Sequence, residues 1–210
     1  MSNYTEFEKE FPSRCLALLR QHYASAQEAD LECTLLLALT ASSICAVADR
    51  IGLAAEKTGY PSSTPTAPGR VVRDRWHRHQ EYFREPVSKL FGTASPPFWC
   101  EGVYTSKRRD PAEWEWRAVP DGYRVARLVS LLRNAFAHGN IWTLKIQGSD
   151  SIAEFVFAQR IGEPKENGEL PLEAIRLTPS CLRNVMVDWA TAMGGRDKSR
   201  RSGVTGDEAA

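Results

Sequence analysis

The chain has 210 residues, of which 42% are hydrophobic and 25% charged, with a formal net charge of +1. That balance is ordinary for a globular protein and excludes disorder of the whole. A total near neutrality neither favours nor opposes a nucleic-acid partner, because the distribution of charge matters more than its sum.

The segment Met1-Ser2-Asn3-Tyr4-Thr5-Glu6 has no basic n-region and no apolar h-region, so a signal peptide is not expected and the cytoplasm is the default compartment. Phe7, Phe11, Cys15, Leu18 and Leu19 recur at helical spacing and predict a first helix over residues 5 to 23. From Glu28 to Ile51 the chain is apolar nearly all round, which marks a central helix enclosed by neighbours. Its uncharged stretch, Cys33 to Ala48, is shorter than the about 20 apolar residues of a membrane span, so no membrane partner is expected. Pro61, Pro65, Pro68 and Gly69 then predict a loop. Helical spacing returns at Val72, Trp76, Phe83, Val87 and Leu90, with a kink or break at Pro86.

Residues 93 to 120 hold four prolines among Trp99, Tyr104, Trp114 and Trp116 and have no helical period, which predicts an insertion loop. Lys107, Arg108 and Arg109 could guide a substrate there. The favoured reading of the tryptophans is a plug that fixes the loop to the core. A helix follows from Tyr123 to His138, with Val125, Leu128, Val129, Leu132, Ala135 and Phe136 on its core face. Tyr123, Arg127, Ser130, Asn134 and His138 form the opposite stripe, which also carries Leu131. An exposed leucine there points to contact with another subunit. Beyond Gly139, Trp142, Leu144 and Ile146 alternate with Thr143 and Lys145. With Phe155 and Phe157 they predict a small β-hairpin over about 141 to 161. Thr178-Pro179 opens the last helix, with a stripe from Leu182 to Met193, and residues 196 to 210 are expected to be a disordered tail.

The segment that suggests chemistry is Arg133-Asn134-Ala135-Phe136-Ala137-His138, at a helix end closed by Gly139. Asn134 and His138, four apart, share a helical face, whereas Arg133 lies about 140° from His138 around the axis. An imidazole titrates near neutral pH and suits proton transfer, while a permanently charged guanidinium fork matches phosphate geometry. The plain alternative is a pair of helix-end cations that satisfy terminal carbonyls, with Gly139 as an ordinary C-cap.

The hexad, within Leu131-Leu132-Arg133-Asn134-Ala135-Phe136-Ala137-His138-Gly139-Asn140, resembles the Arg-x(4–6)-His signature of the HEPN superfamily (higher eukaryotes and prokaryotes nucleotide-binding). The resemblance is close in the motif and loose over about residues 1 to 193. It implies a mainly α fold, a HEPN-like antiparallel helical bundle over residues 1–195 with the hairpin inserted before the last helix. It also implies a metal-independent endoribonuclease, often a toxin or phage-defence effector. In that reading His138 is general acid or base, Arg133 clamps the phosphorane and Asn134 orients His138 or a phosphate oxygen. Two copies would face one another through the Arg127–His138 polar stripe, and an antitoxin or sensor protein is a further possible partner. The alternative is a HEPN scaffold that binds RNA, a nucleotide or a protein without chemistry.

Weaker RNA-contact candidates are Arg73, Arg75, Trp76 and Arg78, from a basic run with interleaved aromatics, together with Arg127. No cofactor is expected, because the Gly-rich phosphate-binding patterns are absent. No metal site is expected either. His77 and His79 diverge on a helix, and Cys15, Cys33, Cys45, Cys100 and Cys181 are odd in number and widely spaced, which suits reduced thiols.

Overall fold

A computed structural model describes residues 6–48, 50, 79–91, 97–104, 110–164, 166 and 170–194. Helices α1 (Phe7–Glu28) and α2 (Glu32–Ala48) pack against each other, joined by a turn in which Asp30 takes a positive φ of 55°. Residues 79–84 are helical, and the chain then breaks at Pro86 into a 3-10 turn at Val87–Lys89. Strand β1 (Phe98–Tyr104) and the two-residue β2 (Arg117–Ala118) precede α3 (Val125–His138). Strands β3 (Ile141–Lys145), β4 (Ile152–Arg160) and β5 (Leu170–Leu177) follow, and α4 (Pro179–Met193) ends the described chain.

The strands form one antiparallel sheet in the order β2-β1-β5-β4-β3. This corrects the mainly α expectation: the protein is mixed α/β, with a five-stranded sheet where a HEPN-like helical bundle with a small hairpin was expected. The expected hairpin is present as β3 and β4, with Gly148 at φ 80° in its turn. The other strands hid for a physical reason. β5 is covered on both faces, so its alternation is not apolar against polar, and it begins beside a proline, which argues against a central strand. β1 lies inside the proline- and tryptophan-rich segment read as an insertion loop.

One face of the sheet is the core. Phe155 and Phe157 of β4 and Ile175 and Leu177 of β5 meet α3 and α4, which pack in turn on α2 and, for α4, on α1. Each such ring or branched side chain contributes about 1.5–3 kcal/mol by leaving water. Trp189 of α4 is fully buried and donates from its ring Nε1 to Ser43 Oγ of α2 at 3.0 Å, so the central helix holds a polar anchor inside the core.

The opposite face of the sheet is smaller. Val156, Ala158 and Ala174 are covered by Trp114, Trp116, Trp142 and Leu144. Trp114 stacks on Trp116 at 5.7 Å and meets Trp142 edge-on at 5.7 Å, while Trp116 Nε1 donates to the Pro111 carbonyl at 2.8 Å. The tryptophans thus plug their segment onto the sheet, as their composition suggested.

Among the described residues no helix is long and apolar enough to cross a membrane. None of the five cysteines is in a disulfide, and Cys15, Cys33 and Cys181 are buried.

Candidate functional site

α3 is held at both ends by backbone. Its N-terminus has no side-chain cap; the Val125 N–H donates to the Glu85 carbonyl at 3.0 Å and the Val87 N–H to the Tyr123 carbonyl at 2.9 Å. The break at Pro86 therefore has a use, because the extended chain beside it anchors the helix that carries the hexad. At the C-terminus Gly139 adopts φ 67°, a left-handed cap that glycine takes without strain, and its N–H bonds the Ala135 carbonyl.

Of the expected core face of α3, Val125, Leu128, Val129, Leu132 and Ala135 are fully buried, and Phe136 is half-buried against the core. The other stripe corrects an expectation. Leu131 is 0% exposed, and Tyr123 and Ser130 are also buried, because α3 lies between α2 and β4 and so has two covered sides. The stripe's polar residues face the protein's own sheet over part of their length.

Three strands set polar side chains in register beneath it. Glu101 of β1 pairs with Glu173 of β5, and Glu173 pairs with Gln159 of β4. Two carboxylates directly opposite one another repel, and Arg127 of α3 resolves this by an ion pair to Glu173 and a second contact to Glu101 at 3.6 Å. Glu173 is 1% exposed and also accepts from Tyr123 Oη at 2.8 Å, Trp99 Nε1 at 3.2 Å and Gln159 Nε2 at 2.7 Å. Four donors thus converge on one buried carboxylate, which satisfies its oxygens away from water. The Arg127 guanidinium also lies 5.1 Å from the Tyr123 ring centroid and 5.9 Å from that of Trp99. Burial, then the neighbouring Glu173 carboxylate, pushes the Tyr123 phenol well above its ordinary range.

Asn134 continues this network. Its Nδ2 donates to Gln159 Oε1 at 2.7 Å, and its Oδ1 accepts from Arg133 Nη1 at 2.9 Å. Both ends of the carboxamide are engaged, neither with His138. The Arg133 carbonyl meets Cys45 Sγ of α2 at 3.8 Å. The structure thus brings Arg133 and Asn134 together and leaves His138 apart, exposed on the last turn with no side-chain hydrogen bond to the described residues.

Of the weaker RNA-contact candidates, Arg127 is 43% exposed but committed to Glu173 and Glu101. Arg73, Arg75, Trp76 and Arg78 lie outside the described residues, as do Lys107, Arg108, Arg109, the 61–69 segment and residues 196–210. Sequence reasoning missed Gln159 and Glu173. Glu173 stands between apolar neighbours in Leu172-Glu173-Ala174-Ile175, a lone carboxylate in a strand-like run, and that was the available signal.

Compared with known proteins, the chain matches no family model, no curated protein and no solved structure.

Proposed function

We propose that the protein is a metal-independent endoribonuclease in which His138 moves the proton and Arg133 faces the scissile phosphate. The proposal rests on the hexad, not on the bundle its resemblance implied. The observation that carries it is the arrangement at the end of α3: a guanidinium and carboxamide held to one another at 2.9 Å, with an exposed imidazole one turn on. RNA supplies its own nucleophile, the 2′-OH, so the protein's share is proton transfer and stabilisation of negative charge. One imidazole acts as acid or base; a second His138 from another copy facing it would supply the other role, and the toxin or defence setting follows the same resemblance.

Purified protein is expected to cleave single-stranded RNA in EDTA and to leave 2′,3′-cyclic phosphate ends. His138→Ala is expected to lose about 10²-fold to 10⁴-fold in rate. Cleavage that survives this substitution overturns the reading.

A second reading, a module that binds without chemistry, is favoured by one observation: Asn134 is already satisfied inside the fold at both ends. It predicts RNA binding without cleavage. Wild type that slows growth on expression, with a His138→Ala variant that does not, would exclude it.

A further inference from the structure

The geometry points to Glu173 as a positioning residue for Arg133, acting through Gln159 and Asn134; this rests on the proposed role of Arg133 in the site. The chain of contacts runs from Glu173 Oε2 to Gln159 Nε2 at 2.7 Å, from Gln159 Oε1 to Asn134 Nδ2 at 2.7 Å, and from Asn134 Oδ1 to Arg133 Nη1 at 2.9 Å. An ionised carboxylate only accepts and a guanidinium only donates, whereas each carboxamide has one end of each kind. Glu173 therefore decides which way Gln159 points. Gln159 decides which way Asn134 points, and Asn134 then offers its oxygen to Arg133.

This gives Glu173 a reach that extends across β4 to the hexad, and it makes a parity prediction. In Glu173→Gln the new carboxamide keeps its oxygen toward Tyr123, Trp99 and Arg127, because three donors converge there. Its nitrogen then faces Gln159, both amides turn over, and Asn134 presents Nδ2 to the Arg133 guanidinium. Donor meets donor, and Arg133 loses the contact. In Asn134→Asp alone, an acceptor-only group meets a Gln159 whose nitrogen is held by Glu173, so acceptor meets acceptor somewhere along the chain. Combining Glu173→Gln with Asn134→Asp restores a complementary contact at every step. The carboxamide introduced on β5 donates to Gln159 Oε1, Gln159 Nε2 donates to the carboxylate introduced on α3, and Arg133 donates to that same carboxylate.

The test is a double-mutant cycle on the full chain, read by melting temperature and by the Nε–H resonance of Arg133 in nitrogen-edited NMR. Each single variant is expected to melt at least about 3 °C below wild type, as buried amide mismatches do. Each should also shift the Arg133 resonance. The double variant should melt above both singles and show an Arg133 resonance consistent with a bonded guanidinium. The kcat for RNA cleavage should fall about tenfold in Glu173→Gln, with KM little changed. Additive losses of stability, an Arg133 resonance that does not recover in the double variant, or an unchanged kcat in Glu173→Gln overturns the inference. Because the cycle and the resonance need no RNA, wild-type protein that cleaves nothing would overturn the proposed function while the relay is still decided by those two measurements.

Discussion

Asn134 and His138 lie one helical turn apart on α3, yet they belong to different parts of the protein. Asn134 is bonded through Gln159 to a carboxylate buried in the sheet, whereas His138 stands on the exposed last turn with no described partner. The first is part of what holds the helix on the sheet; the second leaves the fold indifferent to it. A polar stripe on a helix can therefore divide into a structural half and a chemically available half, and the division follows what lies opposite each turn.

The contrast can be broken most forcefully at Glu173. Glu173→Ala removes the common acceptor of Trp99, Tyr123, Gln159 and Arg127 and is expected to destabilise the protein by about 3–5 kcal/mol, read from the midpoint of denaturant unfolding. A loss below about 1 kcal/mol would mean that the network contributes specificity and little stability. His138→Ala should do the reverse, with unfolding free energy within about 0.5 kcal/mol of wild type while cleavage is lost.

A smaller effect sharpens the same comparison at the cap between the two halves. Gly139→Ala meets no atom within 4 Å of the added Cβ, so its cost is the left-handed backbone alone, about 1–2 kcal/mol. Gly139→Asn should cost less, since asparagine tolerates that conformation.

The smallest expected effect is a pH dependence. The folded Tyr123 phenol titrates well above its unfolded value of about 10, so between these values the unfolded state releases a proton that the folded state retains. Stability from this group is present in full below about pH 10 and is lost as pH rises further. Tyr123→Phe should flatten the alkaline limb of a stability profile measured from about pH 8 to about pH 11, relative to the wild type.

Much of the helical part of the molecule was legible in the residues. The core stripe of α3, the Gly139 cap, the Thr178-Pro179 start of α4, where Thr178 Oγ1 accepts from the Cys181 N–H at 3.1 Å, and the β3–β4 hairpin are local features whose causes lie within a few residues of their effects. Two things were not local. Leu131 sits on a stripe that a single helix would expose, and only the placement of α3 between α2 and β4 buries it. β5 is read correctly only once both its faces are seen to be covered, by helices on one side and by the tryptophan plug on the other.

The hexad divides in the same way. By itself the sequence determined that Arg133, Asn134 and His138 end a helix closed by a left-handed glycine, because that follows from periodicity and backbone sterics. Only the tertiary structure decided that Asn134 faces inward and His138 outward. The reason is that a carboxylate 39 residues beyond Asn134, Glu173, can be stable in the core only where donors from β1, β4, α3 and Tyr123 just before α3 converge on it.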